Sequence, residues 1–181
     1  MLIEGKLVSM AFNFAKYIST YQDFPKKGIQ FRDISPLIKN GKVFRIVINR
    51  IASFVKHERA DLIVAPEARG FIVGSPVAYK LGIGFVPARK QGKLPSSTVS
   101  ASYGLEYGKS TLYMEKSAIQ PGQRVVITDD LMATGGTYAA TANLVHQLGG
   151  KVVGAAFIVE LTGLHGRRKL KGEDVLSLIQ Y

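Results

Sequence analysis

The sequence predicts an α/β fold with a mostly parallel central sheet flanked by helices. Short apolar runs that are typical of buried strands alternate along the chain with stretches of helical length and spacing. Such alternation implies parallel strands joined by right-handed helical crossovers. The length of 181 residues suits one ordinary domain, and no repeat or linker divides the sequence. We therefore treat 1–181 as a single domain.

Each predicted element follows from a local pattern. In the second predicted helix, Val43, Val47 and Ile51 recur at steps of four residues. The third predicted helix contains Gly74 and Pro76, which weaken a helical pattern. The predicted helices are 10–21, 42–57, 70–82 and 135–150. The predicted strands are 61–67, 84–90, 110–116, 124–130, 151–161 and 174–180. Of these, 110–116 alternates only weakly and could be one arm of a hairpin.

The segment 91–108 is long, polar and rich in glycine and serine. Uninterrupted loops of this length in a compact domain are usually functional lids or disordered segments. We therefore expect a loop here that closes over a site.

Composition restricts the class of protein. Hydrophobic residues make up 46% and charged residues 20%, which indicates a globular chain. The lack of cysteine excludes disulfides, thiolate catalysis and Cys-ligated zinc, and favours an intracellular, cytoplasmic location. No apolar run approaches the ~20 residues of a membrane helix, and the N-terminus has no signal-peptide pattern. We expect no membrane association.

The net charge of +11 favours anionic partners, either nucleic acid or phosphorylated small molecules. A solubilising surface explains most of the lysines taken singly. The positive charges do not form one tail but gather in three short groups along the chain. These groups are Lys26-Lys27, Arg89-Lys90 with Lys93, and Arg167-Arg168-Lys169 with Lys171.

The stretch "VVITDDLMATGGT", 125–137, predicts a phosphate-binding loop. A helix that begins near Gly135 has unpaired N–H groups in its first turn, and its dipole favours an anion there. Glycines without Cβ atoms let a phosphate approach, and threonine hydroxyls can donate to it. Neither the G-x-x-x-x-G-K-[ST] loop nor the G-x-G-x-x-G fingerprint is present. The predicted phosphate-binding residues are Ala133, Thr134, Gly135, Gly136 and Thr137.

Two adjacent acids, Asp129 and Asp130, end the strand before this loop. Carboxylates accept hydrogen bonds, so a pair of them suits the vicinal hydroxyls of a ribose. They also stabilise positive charge that develops on the sugar. The alternative is that Asp130 and Thr134 only cap the following helix. Capping explains one polar residue but not two adjacent acids, so we favour a site for a ribose 5-phosphate.

This stretch resembles the phosphoribosyl diphosphate (PRPP) binding motif of type I phosphoribosyltransferases. The resemblance continues in order through "DFPKKGIQFRDISPL", "ARGF", "RKQGKLP", "ASYGLEYGK" and the C-terminal "SLIQY", and is greatest to the adenine-specific branch. It implies a homodimeric purine-salvage enzyme. The reaction would be the Mg²⁺-dependent transfer of the 5-phosphoribosyl group from PRPP to adenine, giving AMP and pyrophosphate through an oxocarbenium-like transition state.

The resemblance also implies roles for individual residues. Glu106 corresponds to a flap glutamate that would exchange a proton with adenine, and Tyr103 and Tyr107 flank it in a flexible flap of about 91–110. Pyrophosphate would meet four basic residues, some of which a neighbouring subunit could supply. These residues are Arg69, Arg89, Lys90 and Lys93.

The N-terminal segment of about 1–35 resembles the hood of the family, which binds the base. Its implied adenine-pocket residues are Gln30, Phe31 and Arg32, and Gln30 lies where members of the family often carry an apolar residue. We assign no protein ligand to a metal, because Mg²⁺ dehydrates reluctantly and would be held mainly by substrate oxygens and water.

Two alternatives remain open from the sequence. The first is a related transferase that prefers a 6-oxopurine such as xanthine or guanine. The second is a nucleic-acid-binding regulator that uses the same fold to sense PRPP, which the charge of +11 would suit. A pure sensor would have no use for Glu106, so we expect small-molecule substrates and no nucleic-acid partner.

Overall fold

The structure, a computed structural model, describes residues 12–95, 97–105, 108–170 and 172–181. The chain divides into two compact units, one that ends at Val43 and one that comprises Phe44–Tyr181. The predicted hood of about 1–35 and the single domain of 1–181 stay predictions. None of the helices in the described ranges has the length and apolar character that crossing a membrane requires.

The first unit contains a small antiparallel ribbon. A 3-10 helix, Phe14–Tyr17, leads into β1 (Ser19–Tyr21), which pairs with β2 (Phe31–Asp33), and α1 (Ser35–Lys39) follows. The helix predicted over 10–21 is therefore wrong for its described part, apart from the single 3-10 turn. The β-branched and aromatic residues of "STY" suit a strand once β2 is available as a partner.

The remaining elements build one mixed sheet and its helices. Along the chain they are α2 (Gly41–His57), β3 (Leu62–Pro66), α3 (Arg69–Leu81), β4 (Gly84–Lys90), β5 (Thr98–Leu105), β6 (Gly108–Glu115), β7 (Arg124–Met132), α4 (Gly136–Gln147), β8 (Lys151–Glu160) and β9 (Asp174–Gln180). The strand order is β5-β6-β4-β3-β7-β8-β9. Only the two pairings made by β6 are antiparallel, so the predicted mostly parallel α/β sheet is confirmed.

The centre of the sheet is apolar on both faces. Every residue of β3 is buried, as expected of a parallel strand covered on both sides. Gly74 allows α3 to approach closely, because a Cβ there would lie 2.8 Å from both Phe85 Cε2 and Thr128 Oγ1. The predicted helix over 70–82 is therefore confirmed despite its glycine and proline, and packing against the sheet explains the glycine.

The loop predicted over 91–108 is wrong for the described residues from Thr98 onward, whereas 91–95 and Ser97 do lie outside any helix or strand. β5 and β6 form an antiparallel hairpin whose register runs from Thr98 opposite Glu115 to Leu105 opposite Gly108. The hydroxyls of Ser102 and Thr111 lie 2.9 Å apart across the two strands. The sequence of this segment is largely polar because one face of the hairpin is exposed, while the residues of the other face pack against the core.

Candidate functional site

The candidate site lies at the carboxyl ends of β3, β4 and β7. These strands are parallel neighbours, so their carboxyl ends share one edge of the sheet, where ligands bind in folds of this class. The segment that follows β3 opens α3, and the segment that follows β7 opens α4. The sheet thus brings together three stretches that are distant in sequence.

The start of α4 has the features expected of an anion-binding helix end. Gly135 is the N-cap residue, with a φ of 76°, and no side chain caps the helix. The interpretation of Asp130 and Thr134 as helix caps is therefore wrong. Ala139 N donates to Gly135 O at 2.9 Å, which leaves the N–H groups before Ala139 without partners inside the helix. The helix predicted to begin near Gly135 is confirmed.

The two glycines of this loop have a second role that the sequence does not reveal. A Cβ on Gly135 would lie 2.6 Å from Gly166 O, and a Cβ on Gly136 would lie 3.0 Å from Gly104 O. Protein atoms therefore occupy the space beside both glycines, which we had expected to be left for a phosphate. Among the other loop residues, Thr134 is exposed, and Ala133 and Thr137 are half-buried.

The two acids at the end of β7 have different surroundings. Asp129 is half-buried, and its Oδ1 accepts the Asp130 N–H at 2.9 Å. Asp130 is 3% exposed, and its Oδ2 lies 3.1 Å from Arg69 Nε. This ion pair lacks hydrogen-bond geometry, and no group in the described part of the chain donates a hydrogen bond to Asp130 Oδ2. A buried acceptor is therefore available beside a cation.

Burial makes both carboxyl groups weaker acids than usual. The pKa of Asp129 is raised well above its ordinary value by burial and, next, by the negative charge of Asp130. Burial also raises the pKa of Asp130, but the positive charge of Arg69 opposes that rise. Arg69 opens α3 and thus holds the more buried acid closer to its charged form.

Glu67 is a site residue that our sequence analysis did not assign. Its Oε2 accepts both Arg89 Nε and Lys90 N at 3.0 Å, and it joins the end of β3 to the end of β4. The pKa of Glu67 is lowered, first by the Lys90 N–H and also by Arg89. The Arg89 guanidinium carbon also lies 5.8 Å from the centre of the Phe71 ring. The sequence signal that could have identified Glu67 is an acid placed directly after a buried apolar run.

The structure gathers only part of the predicted site. Arg69 and Arg89 lie at the shared strand edge, and Lys90 and Lys93 are exposed at and beyond the end of β4. Tyr103 packs against the core on β5, and a Cβ on Gly136 would lie 3.4 Å from its Cδ2. Two predicted flap residues lie outside the described residues, namely Glu106 and Tyr107.

The predicted adenine-pocket residues belong to the first unit. Phe31 and Arg32 are half-buried, and Gln30 is exposed. Arg32 donates from its terminal nitrogen NH2 to Gln30 Oε1 at 3.0 Å. The Phe31 ring packs edge-on against Phe24, with ring centres 5.3 Å apart. The Gln30 side chain thus contacts the chain itself, which is relevant because this position departs from the family pattern.

The described residues contain no group of three or more His, Cys, Asp or Glu side chains that could hold a metal ion. Asp129 and Asp130 lie on β7 shortly before the proposed phosphate loop, and Asp130 already faces Arg69. Such a donor set fits a Mg²⁺ ion that arrives on a polyphosphate and keeps several waters, rather than a resident metal.

Comparisons with known proteins agree with this geometry. A family model for the phosphoribosyl transferase domain matches residues 37–178. A curated adenine phosphoribosyltransferase from Lactobacillus acidophilus is 58% identical over 172 residues, which cover 95% of this chain and 98% of the relative.

Solved structures show the same likeness. The adenine phosphoribosyltransferase of Thermoanaerobacter pseudethanolicus is 53% identical, with a TM-score of 0.89 over 93% of this chain and 98% of that one. The enzyme of Saccharomyces cerevisiae, complexed with D-2,5-dideoxy-2,5-imino-altritol 1,6-bisphosphate and adenine, is 38% identical, with a TM-score of 0.88 over 93% and 97% of the two chains.

Replacing Asp129 should make the ligand-free protein more stable at neutral pH. Because the folded-state pKa is raised, the folded protein loses stability as pH rises from the ordinary value of 3.8 through the raised one. We expect Asp129→Asn to raise Tm at pH 7, and in a chain of this size each 1 kcal/mol of added stability raises Tm by about 2–4 °C. The amide oxygen can still accept the Asp130 N–H.

Thermal unfolding from pH 4 to pH 8 measures this effect. The gain should shrink as pH falls toward 4, because the native carboxyl is then protonated. The matched control is Asp174→Asn on β9, an exposed acid whose replacement should change stability by less than about 0.5 kcal/mol. A lower Tm for Asp129→Asn at pH 7 would contradict the burial argument.

Proposed function

The chain belongs to the type I phosphoribosyltransferase family, in its adenine phosphoribosyltransferase branch, and from this membership we propose the reaction and the residue roles below. The 5-phosphoribosyl group of PRPP is transferred to adenine, giving AMP and pyrophosphate. The observation that carries the proposal is the buried, unbonded Asp130 Oδ2 beside Arg69, next to an α4 N-terminus that no side chain caps.

PRPP is held at both ends of its sugar. The N–H groups that open α4 receive the 5-phosphate, and the hydroxyls of Thr134 and Thr137 add donors. The ribose hydroxyls donate to Asp129 and Asp130. The acids contact the diol rather than either phosphate group, so they bind without repelling the anions, and they stabilise positive charge that develops at C1 of the ribose.

The leaving pyrophosphate meets cations at the ends of β3 and β4. Arg69 and Arg89 face it from these strand ends, and Lys90 and Lys93 add charge. Glu67 orients Arg89 through the bond at 3.0 Å, so this guanidinium is held in place before substrate arrives. Mg²⁺, when bound with PRPP, neutralises part of the pyrophosphate charge.

Adenine bonds through N9 to C1 of the ribose as the bond from C1 to the pyrophosphate oxygen breaks. Glu106 accepts the proton that the imidazole ring of adenine releases. The β5–β6 hairpin supports this glutamate and excludes water that would hydrolyse PRPP. Phe31 stacks on the base, with Arg32 beside it. The Gln30 side chain accepts a hydrogen bond from Arg32, so Gln30 contacts adenine through its backbone rather than its side chain.

The choice of base separates this function from its nearest alternatives. Purified protein with PRPP and Mg²⁺ should form AMP from adenine at least about a hundredfold faster, in kcat/KM, than it converts guanine or xanthine, since a site built for one hydrogen-bond pattern rejects another. Excess chelator should abolish turnover. No AMP from adenine would reject the proposal, and salt-sensitive binding to DNA without turnover would favour the PRPP sensor.

Glu106 should act at the chemical step. We expect Glu106→Gln to lower kcat by about 10²–10⁴-fold, the usual contribution of a general acid or base, and to change KM for PRPP by less than threefold. Asp174→Asn, the same carboxylate-to-amide change at an exposed position on β9, serves as a control and should leave both constants unchanged. A variant that loses PRPP affinity but keeps kcat would assign Glu106 to binding instead.

We propose a cytoplasmic homodimer that works in purine salvage. The dimer is supported by two exposed apolar side chains on α3, Ile72 at 39% and Tyr79 at 91% exposure, which lie seven residues apart and hence on one helix face. Light scattering should give the mass of two chains, and Tyr79→Glu should shift it toward one. A monomer at all concentrations would contradict the dimer, and cell fractionation tests the location.

A further inference from the structure

Two of the three basic groups of the sequence have no role in the proposed function. Three residues of one group, Arg167, Arg168 and Lys169, lie in a 3-10 helix, Gly166–Lys169, that follows β8. Arg167 in this turn forms a two-pronged bond with Glu160, in which the distances from Nε to Oε1 and from NH2 to Oε2 are both 2.7 Å. The Glu160 side chain is 4% exposed and that of Arg167 is 46% exposed. A paired guanidinium and carboxylate of this geometry is directional as well as strong.

The same turn lies directly against the proposed phosphate loop. A Cβ on Gly166 would collide with the carbonyl oxygen of Ala133 and would lie 2.8 Å from Met132 Sδ. In return, a Cβ on Gly135 would lie 2.6 Å from Gly166 O. Backbone therefore packs on backbone, and a small displacement of the turn would be transmitted to the loop.

Glu160 provides a fixed anchor for the turn. It ends β8, and its carbonyl accepts the Tyr181 N–H at 2.9 Å. The next residue, Leu161, donates from its N–H to Met132 O at 2.8 Å. The pKa of Glu160 is lowered, first by the hydrogen bonds from Arg167, so the carboxylate is ionised at neutral pH. The turn's own backbone bonds are local, such as Leu170 N to Arg167 O at 3.0 Å.

We propose that Glu160 and Arg167 are positioning residues for the loop that binds the 5-phosphate. Their paired bond holds Gly166 against Gly135 and so fixes the direction of the N–H groups that open α4. In this role Arg167 acts through Glu160 and the turn, with two of its five N–H donors committed to the Glu160 carboxylate. The inference rests on the proposed function, since it assigns these residues to the 5-phosphate of PRPP and AMP.

The test compares two ligands that differ only in the 5-phosphate. Dissociation constants for AMP and adenosine are measured by calorimetry for the native protein and for Arg167→Gln. We expect AMP to bind about tenfold more weakly to the variant, because misplaced binding groups lose affinity steeply, and adenosine to change by less than about twofold. In turnover, KM for PRPP should rise by a similar factor while KM for adenine is unchanged.

Arg168→Gln is the matched control, because it removes the same charge from an exposed neighbouring side chain. It should leave both dissociation constants within about twofold, since an exposed surface charge contributes little in water. Arg167→Lys should restore only part of the AMP affinity, because a lysine cannot form the paired bond. Should Arg167→Gln fail to fold, Glu160→Gln weakens the same paired bond without a backbone clash and should show the same selective loss of AMP.

The outcomes separate this inference from the function on which it rests. If Arg167→Gln loses affinity for AMP and adenosine equally, the positioning role is overturned and the pair only stabilises the fold. If Arg168→Gln weakens AMP binding as much as Arg167→Gln does, the positioning role is overturned and the effect is one of general charge. If the native protein makes AMP from adenine and Arg167→Gln binds AMP normally, only the inference fails. If the native protein makes no AMP from adenine, the proposed function itself fails.

Discussion

A buried carboxylate held opposite an arginine is the interaction around which the candidate site is arranged. Asp130 lies at the end of β7, where burial disfavours its charge, and Arg69 at the start of α3 opposes that effect. The two can meet only because β3 and β7 are parallel neighbours. The close fit also requires Gly70, because a Cβ there would lie 3.1 Å from Thr128 O and 3.2 Å from Asp129 Oδ1. The acid pair therefore depends on the sheet order as much as on its own residues.

Three acid–arginine pairs lie at the ends of parallel strands. Besides the pair of Asp130, Glu67 holds Arg89 and Glu160 holds Arg167. The chain has a net charge of +11, so most of its lysine and arginine side chains do not need an acidic partner to keep the protein soluble. Pairing instead fixes where particular guanidinium groups point. At Arg69 and Arg89, a polyanionic substrate would thus meet cations whose directions are set in advance, which lowers the cost of ordering them on binding.

The proposed phosphate loop is enclosed by elements that the sequence of the loop does not predict. The turn at Gly166 lies against Gly135, and the β5 backbone at Gly104 lies beside Gly136. The hairpin therefore has two connections to the site, through its sequence position next to Glu106 and through its contact with the loop. A hairpin is stiffer than the loop that the composition of this segment suggested, because each strand satisfies the backbone bonds of the other.

The sequence by itself determined the features that depend on residues close together along the chain. Apolar runs and turn residues predicted the central strands, α2, α3 and α4, and the stretch 125–137 correctly placed its acids, loop and helix in order. Only the tertiary structure decided features that depend on distant partners. β5 exists because it pairs with β6, the strand that the sequence did predict, and β1 exists because β2 is beside it. Glu67 with Arg89, and Gly135 with Gly166, became neighbours through strand order and packing, which leave no periodic signal in a single sequence.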